Sequence, residues 1–193
     1  MERTSSLQDS SRINLSPARI LIVDDNPKSL KILCDLVASF GARAITVAND
    51  GLQAKSLLTQ ARFDLLITDA FMPDLDGYDL VRWLRARPSD EERTTPVLIV
   101  SAHTREEEIA KGRDCGANFM IAKPISPATL LEKIFWISNN EQKFLVCPGY
   151  VGPDRRRRDL GPPAGLAAGR RRNDPASFGD LDAVLKPQEA LPL

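Results

Sequence analysis

Five side chains with chemical potential recur at matched places: Asp24 and Asp25 in "LIVDDN", Asp69 in "FDLLITDAFMPDLDGYDL", Ser101 in "LIVSAH" and Lys123 in "MIAKP". Each follows an apolar run of the kind that forms a buried strand. Burying part of an unpaired carboxylate is costly, so a carboxylate at the end of a core strand needs a partner. Three anions brought to one edge repel one another and raise each other's pKa unless a cation joins them. Hard oxygen ligands of this kind suit Mg²⁺, which keeps several waters and takes one or two carboxylates plus phosphate oxygens from a substrate. The Ser101 hydroxyl is a donor for a phosphoryl oxygen, and Lys123 is a point positive charge suited to the same anion. Each residue singly also fits a plain structural role. Asp24-Asp25 ahead of Asn-Pro suits helix capping, Asp69 a turn, Ser101 a cap and Lys123-Pro124 a surface turn. Agreement of residue type, order and strand position across the whole set favours the chemical reading over those roles taken together.

The elements that must position these residues repeat. "RILIV" reads as a strand, and "NPKSLKILCDLVASFG" as a helix with Leu30, Leu33, Val37 and Phe40 on one face, Pro27 in its first turn and Gly41 at its stop. "ARAITVA" is a second strand, and "DGLQAKSLLTQA" a helix that buries Ala54, Leu57, Leu58 and Ala61. "FDLLIT" is the third strand, followed by a loop over 70–76 and a helix through Tyr78, Val81 and Leu84. "TPVLIVSA" is the fourth strand, reached through "RPSDEERTTP", which reads as a solvated loop. The polar helix "TREEEIAKGRDCGA", the strand "NFMIAKP" and the helix "SPATLLEKIFWIS", with Ser126 as cap and Pro127 in its first position, complete the series. Five strand–helix units in succession imply an α/β fold, a doubly wound five-stranded parallel sheet with helices on both faces. Ligands of such sheets bind outside the carboxyl ends of the strands, which is where all of the reactive side chains fall.

Across residues 18–138 the chain resembles the receiver domain of two-component response regulators. The motifs that carry the resemblance are "VDDN", "DAFMPDLDG", "SAH" and "AKP". It implies a flavodoxin-like receiver fold and a signalling protein, not an enzyme acting on an external substrate. Asp69 would accept a phosphoryl group from the phosphohistidine of a histidine kinase or phosphotransfer protein. Asp24, Asp25, Asp69 and the backbone carbonyl of Phe71 would hold Mg²⁺, while Ser101 and Lys123 would contact the phosphoryl oxygens. Met72-Pro73 and Gly77 would shape the loop that carries Phe71, Gly77 by taking backbone angles other residues avoid. Output would be a two-state switch in which Ser101 moves toward the phosphoryl group and the surface of the last two helices and the fifth strand changes. A downstream protein partner follows from that logic, with a monomer or a phosphorylation-dependent homodimer as the assembly. The chain departs from the family pattern at Met120, three positions before the lysine, where the family places Tyr or Phe, and Phe119 stands beside it. His103 occupies the position at which the family tunes the lifetime of the phosphoryl group.

Composition limits the other readings. Apolar content of 42% and charged content of 27% are ordinary for a globular protein, and the formal net charge is zero. No stretch approaches the ~18 apolar residues of a membrane span, and the polar N-terminal sequence has no signal-peptide core. Three dispersed cysteines and a single histidine, His103, provide neither a disulfide framework nor a zinc site nor a Ser-His-Asp triad, so a reducing cytoplasm is the expected location. The organisation expected is a flexible polar arm over 1–17, the receiver domain over 18–140, and a tail over 141–193 rich in Pro, Gly and Arg. That tail lacks sustained apolar periodicity and reads as disordered or loosely docked. Its two arginine clusters, beginning with Arg155, offer phosphate-binding charge, so a nucleic-acid or nucleotide binder is the second reading, disfavoured by the neighbouring Asp154, Asp159 and Asp174. A Mg²⁺-dependent phosphohydrolase is the third. Such enzymes carry a second Asp two residues after the nucleophile, where this chain has Phe71.

Overall fold

A computed structural model of the chain describes residues 14–103, 105–139, 143–147 and 149–155. Five strand–helix units follow one another: β1 (Arg19–Val23), α1 (Pro27–Ser39), β2 (Ala44–Ala48), α2 (Gly51–Gln60), β3 (Leu65–Asp69), α3 (Gly77–Arg85), a single turn α4 (Asp90–Arg93), β4 (Val97–Ser101), α5 (Glu106–Asp114), β5 (Phe119–Ala122) and α6 (Pro127–Asn139). The strands form one parallel sheet in the order β2-β1-β3-β4-β5. The order reverses between β1 and β3, so the crevice at their carboxyl ends is the ligand-binding position of this topology.

Because side chains alternate across a strand, the apolar runs divide between two cores. Leu21, Val23, Leu66, Val97 and Ile99 face Ala54, Leu58, Tyr78, Val81 and Leu84 of α2 and α3. Ile20, Ile22, Ile67, Leu98, Val100 and Ile121 face Leu30, Leu33 and Val37 of α1 and Leu130 and Ile134 of α6. Every residue of β3 and β4 is buried. At about 1.5–3 kcal/mol for each fully buried aliphatic side chain, these central strands dominate the cohesion of the sheet and form a rigid base for the residues at their ends.

The helix starts are capped as their sequences require. The Asn26 side chain accepts hydrogen bonds from Lys28 N and Ser29 N at the start of α1 (2.9 and 3.4 Å), and Asp50 accepts from Gln53 N at the start of α2 (2.6 Å). Asp76 accepts from Asp79 N at the start of α3 (2.7 Å), so it serves the helix and not the reactive cluster. Leu57 and Ala61, expected in the core, are only partly buried and pack against its edge.

Four local expectations are corrected. The loop before β4 is not wholly irregular, since residues 90–93 form the turn α4. The stretch 14–17 is not a free arm: Leu15 is 6% exposed in the core below α6, and Ala18 N donates to Leu15 O (3.1 Å). Gly77 has no positive φ; it is Asp74 that takes the left-handed conformation (φ 63°). Gly77 is required by space instead, because a Cβ there would lie 2.0 Å from the Asp69 carbonyl oxygen.

The fourth correction concerns the segment after 140. Residues Phe144–Cys147 and Tyr150–Pro153 form an antiparallel hairpin, β6 and β7, with Gly149 at positive φ in its turn. The hairpin packs on the end of the domain opposite the acidic crevice. Gly116 and Gly152 allow the two backbones to touch: a Cβ on Gly116 would meet the Val151 carbonyl at 2.4 Å, and one on Gly152 would meet the Gly116 Cα at 2.9 Å. Arg155 donates to the Ala117 carbonyl, and the Phe144 ring lies 5.0 Å from the Arg85 guanidinium. Such a short hairpin has little stability of its own, so docking holds it. The remainder of the tail and the arm 1–13 lie outside the described residues. Among the described residues, no helix is long and apolar enough to cross a membrane.

Candidate phosphoryl-acceptor site

The acidic crevice is built by strand ends alone. Asp24 and Asp25 follow β1, Asp69 ends the adjacent β3, Ser101 ends β4, and Lys123 follows β5. The registers Val23↔Thr68, Asp69↔Val100 and Ser101↔Ala122 carry these ends to a common level. Carboxylate oxygens of Asp24, Asp25 and Asp69 lie within 4.8 Å of one another. Asp24 is fully buried, Asp69 is 9% exposed, and Asp25 stands in solvent.

Lys123 spans the crevice. Its Nζ is 2.8 Å from Asp24 Oδ2 and 3.2 Å from Asp69 Oδ1. Asp24 Oδ1 accepts from Asn26 N (2.9 Å), and Asp69 Oδ1 accepts from Ala70 N (2.9 Å). Burial pushes the Asp69 carboxyl above its ordinary value; Lys123 and the Ala70 amide pull it down, while Asp24 pushes it further up. Burial works against the Lys123 charge, but Asp24 and Asp69 outweigh it and hold the ammonium above its ordinary value. One ammonium facing three carboxylates leaves the crevice short of positive charge. Hard anionic oxygens with a deficit of cation, one of them open to solvent, fit a divalent ion that retains water.

The neighbouring loops place the remaining residues. The Ser101 hydroxyl donates to the His103 carbonyl (2.9 Å) and accepts from His103 N (3.1 Å). Phe71, 41% exposed, stands edge-on to His103 (5.2 Å between ring centroids) and to Tyr78 (5.9 Å). The loop carrying Phe71 is closed by Gly77 N donating to Ala70 O (3.0 Å). Because a Gly77 Cβ would overlap the Asp69 backbone, Gly77→Ala is expected to cost about 3 kcal/mol, the upper end for overpacking, and to displace Asp69. Chemical denaturation together with the rate of phosphorylation checks both effects.

All five side chains singled out in the sequence thus meet at one crevice, with Phe71 on its rim. Sequence reasoning missed the polar role of Tyr78, which it placed only in the core: its hydroxyl donates to Glu108 Oε2 on α5 (3.0 Å). No sequence signal pairs those residues. It also missed Arg85, a buried cation at the opposite end of the sheet.

The family model for the response regulator receiver domain matches residues 20–135. Chemotaxis protein CheY-3 of Vibrio cholerae is 37% identical over 116 residues, covering 60% of this chain and 88% of that protein. The polar-differentiation response regulator DivK of Brucella anthropi is 33% identical over 118 residues, covering 61% of this chain and 94% of that protein. Among solved structures, a receiver domain of a Pseudomonas aeruginosa sensor histidine kinase, with a magnesium ion coordinated in its active-site cleft, is 30% identical. It superposes with a TM-score of 0.57 over 63% of this chain and 98% of that one. A putative response regulator from Chloroflexus aurantiacus gives a TM-score of 0.60 at 29% identity, covering 64% of this chain and 99% of that one. With the sheet order, the crevice and the match over residues 20–135 in agreement, the chain belongs to the response regulator receiver family and works in phosphorylation-controlled signalling.

Proposed function

We propose that Asp69 is the phosphoacceptor of this chain and that Asp24, Asp25, Asp69 and the Phe71 carbonyl hold Mg²⁺ during transfer. The observation that carries the reading is the span of Lys123 Nζ between Asp24 and Asp69, at 2.8 and 3.2 Å, beside Ser101 on the neighbouring strand end. A carboxylate oxygen of Asp69 attacks the phosphorus of a phosphohistidine on a kinase or phosphotransfer protein. The P–N bond breaks, its electron pair stays on the imidazole nitrogen, and an acyl phosphate forms on Asp69. Mg²⁺, when bound, supplies charge neutralisation between the carboxylates and the phosphoryl oxygens. Lys123 then moves its contact from the Asp69 carboxylate to a phosphoryl oxygen, and Ser101 rotates from the His103 carbonyl to donate to another. Positioning and electrostatics carry most of such a transfer, which is why rigid strand ends supply every group. Phe71 and His103, packed edge-on at the mouth of the crevice, restrict the approach of hydrolytic water to Asp69.

The altered Ser101 loop and the neighbouring α5–β5–α6 surface then change the affinity for a downstream protein. The nucleic-acid reading loses its first residue, since Arg155 is directed inward to the Ala117 carbonyl. The phosphohydrolase reading has no acid at position 71 to protonate a leaving group.

Incubation with Mg²⁺ and a small phosphodonor such as acetyl phosphate is expected to add one phosphoryl mass, detected in the intact protein. Chelation of the metal should reduce the yield by at least about tenfold, the scale of one lost charge-neutralising contact. Labelling that proceeds equally in the presence of a chelator would sink the metal assignment.

A further inference from the structure

Of the helices longer than one turn, α5 is held by the least burial. Gly112 is its one buried residue, and Arg105 gives its N-terminus no side-chain cap. What fastens this helix is therefore a small set of contacts, and Tyr78 supplies a polar one. The Tyr78 ring is 2% exposed, and its hydroxyl donates to Glu108 Oε2 at 3.0 Å. The other carboxylate oxygen of Glu108 accepts from Lys111 Nζ at 2.9 Å. The ring edge also reaches Gly112, where a Cβ would lie 3.7 Å from Tyr78 Cε1 and 3.0 Å from Met120 Sδ. Met120 fills the adjoining space and offers no hydroxyl.

The same tyrosine faces the crevice from behind. Its ring stands edge-on to Phe71 (5.9 Å). Burial and then Glu108 push the phenol pKa up, whereas Ser101 acts in the opposite direction. Ser101 is bonded to His103, in the segment before α5, and the Phe71 ring stands edge-on both to His103 (5.2 Å) and to Tyr78. A hydroxyl has one proton to donate, so a Ser101 that donates to a phosphoryl oxygen gives up the His103 carbonyl and loosens the ring contacts that run from His103 through Phe71 to Tyr78.

We propose that the Tyr78–Glu108 hydrogen bond is a catch that holds α5 in place while Asp69 is unmodified, and that Ser101 releases it on engaging the phosphoryl group. The proposal rests on the phosphoacceptor reading of Asp69. An interaction present in one state and given up in the other biases the equilibrium toward the first, so removing it must favour the modified state. Tyr78 is accordingly a positioning residue, acting on α5 and not on the transferred group.

The test is a double-mutant cycle on the full chain with Y78F, which keeps the ring, and E108A, which keeps helix propensity. Each protein is titrated with beryllofluoride in the presence of Mg²⁺, and amide exchange over residues 106–114 is followed without the mimic. Each single substitution is expected to lower the half-saturating beryllofluoride concentration about threefold to tenfold, the range of one hydrogen bond. Each should also accelerate exchange in α5. The double variant should shift no further than either single one, because both remove the same link. Half-saturation that is unchanged or raised in the single variants, or shifts that add in the double, would overturn the catch. If the parent protein fails to bind beryllofluoride, it is the Asp69 reading that fails. The exchange measurement still decides the catch, which is lost if α5 exchanges as slowly in Y78F and E108A as in the parent.

Discussion

Asp69→Asn is expected to reduce phosphoryl incorporation below detection in a chain that otherwise folds as before. An amide lacks the anionic oxygen that attacks phosphorus, and its resonance leaves the nitrogen without nucleophilic character, so the loss is chemical. The structural contacts survive the change. The Asn carbonyl oxygen can still accept from Ala70 N, as Asp69 Oδ1 does at 2.9 Å, and Lys123 keeps Asp24 at 2.8 Å. Two opposing effects act on stability. The variant loses the attraction between Lys123 and Asp69, and it loses the cost of burial and of repulsion by Asp24 that pushes the Asp69 carboxyl up. They should balance to within about 1 kcal/mol, the usual scale for a partly screened pair, as chemical denaturation will register. Intact mass after treatment with acetyl phosphate and Mg²⁺ reads the chemistry. An Asp69→Asn protein that takes up a phosphoryl group as fully as the parent would place the acceptor elsewhere.

Arg85→Ala is the substitution expected to cost the most stability. Arg85 is 3% exposed, at the end of α3, and its guanidinium is shared among backbone carbonyls. Nε donates to Gly116 O (2.9 Å), and Nη1 donates to Arg93 O (2.7 Å) and Thr95 O (2.8 Å). Nη2 reaches Asn118 Oδ1 (3.4 Å), and the same oxygen accepts from Val97 N (2.8 Å). One planar cation therefore ties the strand entrances of β4 and β5 to α3, and its face receives the Phe144 ring of the hairpin. Burial lowers its pKa to about 10, which leaves it protonated at neutral pH. Truncation strips several buried carbonyls of their donor, and each such group costs about 1–3 kcal/mol. A total loss of about 3–5 kcal/mol in urea unfolding is expected, together with release of the hairpin to proteolysis. Arg85→Lys should recover little of this, because a point ammonium cannot match the planar fork of donors. A loss below about 1 kcal/mol would show that water replaces the guanidinium and that the fork is not what joins these loops.

The sheet and its crevice were legible in the sequence for identifiable reasons. Continuous apolar runs such as "RILIV" and "VLIV" specify strands covered on both faces, and helical spacing between them specifies the crossovers. Once parallel strands are joined by right-handed crossovers, their carboxyl ends share one edge. Asp24, Asp25, Asp69, Ser101 and Lys123 then meet through topology alone, before any side-chain geometry is known. Their residue types carry the chemistry, because a carboxylate at the end of a buried strand is too costly to be idle.

Tertiary structure alone decided the rest, and the reason in each case is contact between segments with no shared sequence pattern. Gly77 looked like a residue needed for its backbone angles. What it provides is space beside the Asp69 carbonyl, visible only when the loop is closed. Arg85 reads in sequence as one more charged residue at a helix end, and it becomes a buried hub only because two segments, Arg93–Thr95 and Gly116–Asn118, present oxygens to it. The hairpin of residues 144–153 escaped notice because its strands are short and interrupted by Pro and Gly. Such strands fold only against a surface, here Gly116, Ala117 and Arg85. Tyr78 showed its apolar half in the helical pattern, while its hydroxyl found Glu108 thirty residues later. Local sequence fixes what periodicity and topology can transmit; a hydrogen bond between distant side chains depends on the packed distances, which no local pattern encodes.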